Sequence, residues 1–169
     1  MANTYTLIAS YTATGTVSNI DFTSIPSTYT DLLVKWSTRT PNTTPTADNI
    51  IIRFNGSSSN GTVRTIYGNG SSAYSANDTS IYAQGGTVGG AATASTYSNG
   101  ELYVPNYAGS NNKSVSIDTV TENNATAANA SLSAGLWSIT TAINQITLVP
   151  NYANFSIYST AYLYGIKNS

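Results

Sequence analysis

In TDLLVKWSTR (residues 30–39), Leu32, Val34 and Trp36 fall on one side of the chain, and Leu33, Lys35, Ser37 and Arg39 fall on the other. Alternation with period two is the pattern of a β-strand, because successive side chains of an extended chain point to opposite faces. The same reading extends outward in both directions. TYTLIASYT (4–12) places Tyr5, Leu7, Ala9 and Tyr11 on one face. NIIIRFNG (49–56) sets Ile50, Ile52 and Phe54 against Ile51 and Arg53. KSVSIDTV (113–120) alternates Val115 and Ile117 with Ser114, Ser116 and Asp118, and INQITLVP (143–150) aligns Ile146 with Leu148. NFSIYSTAYLYGI (154–166) aligns Phe155, Ile157, Ala161 and Leu163 on one face and Tyr158, Tyr162 and Tyr164 on the other. β-branched residues and Gly, Asn and Pro punctuation support strands throughout. The alanine-rich NNATAANASLSAG (123–135) lacks an apolar stripe and allows a turn of helix at most.

The expected fold class is therefore all-β, an antiparallel β-sandwich in a single domain over residues 1–169. Residues 55–99 are rich in Gly and Ser and read as a loop region, with NGSSSNG, GNGSS and QGGTVGGAATAS as its marks.

Composition excludes several function classes. There is no cysteine and no histidine. Disulfides, thiolate nucleophiles, Ser-His-Asp and Cys-His arrangements and the commonest zinc ligands are therefore unavailable. Seven acidic and six basic residues leave a net charge of −1 with no basic run, which argues against a nucleic-acid partner. No segment approaches a membrane span, and MANTYTLIAS lacks the features of a signal peptide. A surface built from Ser, Thr, Asn and Tyr is cheap to desolvate, which suits packing against other subunits or glycans. Asp118 and Glu122 lie four apart but extend too far along a strand for paired acid–base chemistry. Asp48 and Asp78 read as turn caps rather than calcium ligands, and Gly85, Gly86, Gly89 and Gly90 lack the Lys-Ser/Thr of a phosphate loop. No catalytic, cofactor or metal residue is named, no cofactor is expected, and the chain is read as a non-enzyme.

The pentapeptide VPNYA occurs at 104–108 and at 149–153. Each copy follows an apolar strand, and the flanks diverge at once. These are two strand exits shaped by Pro and Asn, not a duplicated unit. Tyr107 and Tyr152 are placed to fold back over the end of the sandwich.

Several stretches in order carry a resemblance: FTSIPSTYTDLLVKWSTRT (22–40), IIIRFNGSSSNGT (50–62), LYVPNYAGSNNK (102–113), SAGLWSITTAINQITLVP (133–150) and NFSIYSTAYLYGIKN (154–168). Together they resemble small structural proteins of tailed bacteriophages, especially those of marine bacteria and cyanobacteria. The resemblance implies a virion protein with a jelly-roll-like sandwich, made in the host cytoplasm and assembled as a homotrimer. It implies a capsid decoration or cement protein that docks on the major capsid protein or other virion proteins. A tail-fibre or tail-tip adhesin for a host glycan is the alternative, with Trp36, Trp137 or the tyrosines as stacking platforms.

Overall fold

The computed structural model describes residues 5–44, 46–122, 124 and 128–167. Among these residues there are twelve strands and no helix. They are β1 (Tyr5–Thr12), β2 (Ile20–Phe22), β3 (Asp31–Ser37), β4 (Ala47–Phe54), β5 (Gly61–Gly68), β6 (Ala73–Asp78), β7 (Tyr82–Val88), β8 (Asn99–Val104), β9 (Lys113–Val120), β10 (Ala130–Trp137), β11 (Ile146–Pro150) and β12 (Thr160–Ile166). Eight form one sheet in the order β1-β12-β3-β8-β9-β10-β5-β6, and four form a second in the order β2-β11-β4-β7. Every strand pairing within the two sheets is antiparallel. This is the all-β antiparallel sandwich that the alternation predicts. The eight-and-four division is wider than the eight strands and two Greek keys of a jelly roll. Of the alanine-rich segment that allows a helical turn, residues 123 and 125–127 lie outside the described residues, and Ala130–Gly135 is strand, part of β10.

The core sits between the sheets. Leu32, Val34 and Trp36 of β3, Ile50, Ile52 and Phe54 of β4, Val115 and Ile117 of β9, and Ile146 and Leu148 of β11 are all buried in it. These are the faces read from the sequence. Trp36 also donates its indole N–H to the carbonyl of Gly86 at 2.8 Å, which satisfies its one polar atom. Gly100 lies against the Trp36 ring: a Cβ there would meet ring atoms at 2.2 Å. Strand β8 can lie beside β3 at this point only because residue 100 has no side chain.

Three readings are corrected. The glycine- and serine-rich segment is not all loop: β5, β6 and β7 take up nearly half of it. Val63, Ala83 and Val88 are buried there, but Thr65, Gly85 and Gly86 share the inward positions, and hydroxyls of β5, β9 and β10 pair with one another or with β7. Thr65 meets Ser133 at 2.7 Å, Thr119 meets Ser131 at 2.7 Å, and Thr119 donates to the Gln84 carbonyl at 2.6 Å. The connection from β7 to β8 remains a loop, but it is pinned. The Arg39 guanidinium donates to the carbonyls of Thr93, Thr96 and Ala92 at 2.9, 3.0 and 3.1 Å.

The single face read for the N-terminal strand is split by a bulge between Leu7 and Ala9. Tyr5 and Leu7 turn out to solvent, while Ile8, Ala9 and Tyr11 pack against the core. The last strand begins only at Thr160. Tyr158 just before it has φ 67°, so Ile157 and Tyr158 are exposed and do not continue the faces of β12.

Lys113 is the unexpected core residue. It is 1% exposed, and its Nζ donates into a cage of backbone carbonyls from the turn after β8 and the loop after β10.

Candidate functional site

The larger sheet is much wider than the smaller one, and register determines what its outer face displays. One cross-strand row reads Tyr162, Lys35, Glu101, Asp118, Leu132, Ile66 and Ser75. The next row towards one end reads Tyr164, Leu33, Tyr103, Ser116, Ala134, Arg64 and Asn77. On the other side lie Val120 and Ala130. Residues from β5, β9 and β10, each isolated in the sequence, thus form one apolar patch. Ile66 is 62% exposed, Leu132 54% and Val120 46%. A shallow groove of about 710 Å³ runs over Ile66, Leu132, Val120 and Ala130 towards Tyr67 and Tyr74. Those two tyrosines, one step along from Ile66 and Ser75, face the opposite side of the sheet, where their rings stack with centroids 5.0 Å apart. Isolated exposed apolar side chains are ordinary on a protein surface, but a contiguous group on one sheet face marks an interaction surface.

Charges of both signs flank the patch. Lys35 and Glu101 form an ion pair at 2.7 Å, and the hydrogen bond to Glu101 holds the lysine pKa above its usual value. Asp118 sits beside Glu101 in the row. Burial pushes its carboxyl up, the Glu101 charge adds to this, and Lys35 opposes it. Arg64 lies on the far side of the apolar group, next to Ile66 on the same face of β5. The carboxylate that Asp118 meets is thus Glu101 across the sheet. Glu122 lies beyond the end of β9 and accepts from the backbone N–H of Asn124 at 2.8 Å.

No family model and no curated protein matches this chain. What it can do is therefore read from its own surface. Among the described residues no group of His, Cys, Asp or Glu is placed to hold a metal, and no helix is long and apolar enough to cross a membrane.

The residues singled out from the sequence have these positions. Trp36 and Trp137 are both buried, so neither offers a stacking platform. Asp78 caps the backbone N–H groups of Thr79 and Ser80 at 2.6 and 3.0 Å, as its turn reading requires. Asp48 also bonds backbone, to Asn49 at 2.7 Å, but reaches further and accepts from the N–H of Tyr152 at 3.2 Å. Gly85 and Gly86 belong to β7, and the Gly86 carbonyl accepts from Trp36 and Ser98.

The two VPNYA copies differ in outcome. Tyr107 folds inward, is fully buried, and donates its hydroxyl to the carbonyl of Pro26. Tyr152 does not cover the sandwich end and is 71% exposed. Asn106 takes a left-handed conformation with φ 49°, and Asn151 does not. Sequence reading picked out the tyrosines of the last strand but missed the Ile66–Leu132–Val120 patch. Only strand register brings those three together.

Proposed function

We propose that this chain is a non-catalytic structural protein that works by assembly, using the outer face of its eight-stranded sheet to pack against further copies of itself. The observation that carries the reading is the exposed apolar group of Ile66, Leu132 and Val120 on a surface otherwise poor in charge. The flanking charges suit self-association. Arg64 on one side and Asp118 on the other allow a second copy to meet the patch without bringing like charges together. Symmetric assembly then multiplies modest contacts, since each copy repeats the same interface.

Combined with the bacteriophage resemblance, this favours a homo-oligomeric, trimeric decoration or cement protein on the outside of a capsid. The adhesin alternative loses Trp36 and Trp137 as binding groups, because both are core. The test is the copy number of the chain in purified virions, by quantitative mass spectrometry against the major capsid protein. Hundreds of copies in simple ratio to the capsid protein are expected. A few dozen or fewer would move the protein to the tail, and complete absence would refute a virion role.

A further inference from the structure

A separate cleft of about 350 Å³ opens beside the smaller sheet, away from the Ile66–Leu132–Val120 face. Ile51 of β4 and Tyr82 of β7 are direct cross-strand partners and give it an apolar base. The rest of the lining is polar. Asp78 and Ser80 stand on one side, Asn151 and Tyr152 on another, with Asn49 between the strands. No lysine or arginine lines it.

The polar groups are held from behind and left open in front. Asp48, only 2% exposed, accepts from the N–H of Tyr152, and Asn151 donates its N–H to the Asn49 carbonyl at 3.0 Å. Burial pushes the Asp48 carboxyl up, and the N–H groups of Tyr152 and Asn49 oppose that. A buried carboxylate is thus committed to fixing a backbone whose tyrosine ring stands in solvent. On the opposite rim one Asp78 oxygen, Oδ1, caps Thr79 and Ser80. Asn49 Oδ1 accepts from Gly85 N–H at 2.9 Å, which fixes that amide and leaves its Nδ2 as donor. Asp78 Oδ2, the Ser80 hydroxyl, the Asn151 amide and the Tyr152 hydroxyl carry no hydrogen bond to other described residues.

We propose that this cleft is a binding subsite for one uncharged pyranose unit of a saccharide. The sugar's C–H face lies on Tyr152, whose backbone is held by Asp48 and whose ring is an apolar surface with a polar tip. Neighbouring hydroxyls donate to Asp78 Oδ2, a charge-assisted bond stronger than a neutral one. Asn49 and Asn151 supply donors to ring and hydroxyl oxygens. Size, an apolar base and a few convergent polar groups are the general features of a small-ligand site. Asp78 and the lack of a lining cation select against acidic sugars. The site binds without cleaving, because glycoside hydrolysis needs two carboxyl groups across the bond and only Asp78 lines the cleft.

The test is a nitrogen–proton correlation spectrum of the full chain, titrated with the methyl glycosides of glucose, galactose, mannose and N-acetylglucosamine, and with N-acetylneuraminic acid. Each is taken to about 50 mM, which reveals millimolar binding. At least one neutral glycoside is expected to shift the signals of Asn49, Ser80 and Asn151. Tyr152→Ala and Asp78→Asn should each weaken that binding at least about tenfold while the remaining spectrum is unchanged. The proposal is overturned if no neutral glycoside shifts these signals, if the acidic sugar binds more tightly, or if either variant binds as the parent does.

Discussion

Replacing Lys113 with methionine keeps the aliphatic stem and removes the ammonium from its carbonyl cage. Nζ lies 2.7, 2.6, 3.0 and 2.9 Å from the carbonyl oxygens of Gly109, Asn111, Thr140 and Thr141, with Ile139 at 3.5 Å. No carboxylate pairs with it, since the ion pair among the described residues is Lys35–Glu101. Burial pushes the Lys113 ammonium pKa down, while the charged form supplies three N–H donors to the cage. Three charge-assisted bonds contribute about 4.5–9 kcal/mol in all, at about 1.5–3 each. Burying the charge costs several kcal/mol against this. The lysine's net contribution is therefore modest, but methionine leaves the carbonyls without their donor. With some of them rehydrated, the expected loss is about 3–5 kcal/mol, at about 1–3 for each carbonyl left unsatisfied. Urea unfolding should show a lower midpoint at unchanged slope. Hydrogen exchange should show the turn after β8 and the loop after β10 losing protection together. A loss below about 1 kcal/mol, typical of an ordinary surface change, would refute this reading of the cage.

Other substitutions probe other parts of the structure. Gly100→Ala forces a methyl into the Trp36 ring and should cost about 3 kcal/mol, read as a lowered Tm with altered near-ultraviolet dichroism. Tyr107→Phe should lose about 1–2 kcal/mol for the bond to Pro26, whereas Tyr152→Phe should leave unfolding unchanged, which separates the two VPNYA copies. Asp48 has a carboxyl pKa raised by burial, so the folded chain holds that proton more tightly than the unfolded one. Its contribution to stability therefore falls as pH rises from the ordinary aspartate value through the raised one. The deficit of Asp48→Asn relative to the parent should accordingly be larger at pH 3 than at pH 7, measured by urea unfolding at both.

The fold class was legible wherever burial and alternation coincide. Leu32, Val34 and Trp36, or Ile50, Ile52 and Phe54, carry enough apolar area on one face to identify the strand and its inward side. β5 and β7 were not legible, because Gly61, Thr65, Ala83, Gly85 and Gly86 fill inward positions that are normally apolar. Thr65 depends on Ser133 from a strand almost seventy residues away, and no local pattern records that. The bulge at Ile8 reverses the face of β1 without a glycine or proline to mark it. Both candidate surfaces depend on pairing at long range. Ile66, Val120 and Leu132 each look like a single strand residue, and Asp78 and Tyr152 meet across one cleft from distant segments.

Self-association through the outer face of the larger sheet is the central claim, and sedimentation equilibrium tests it most directly. The parent chain and the Ile66→Thr/Leu132→Lys double variant should be compared across a range of protein concentration. Both positions are exposed, the lysine would face Asp118 across the sheet and threonine suits a strand, so the variant should fold with stability within about 1 kcal/mol of the parent. The account predicts an oligomer for the parent and a monomer for the variant. A parent that stays monomeric at every concentration, or a variant that assembles like the parent, would contradict it.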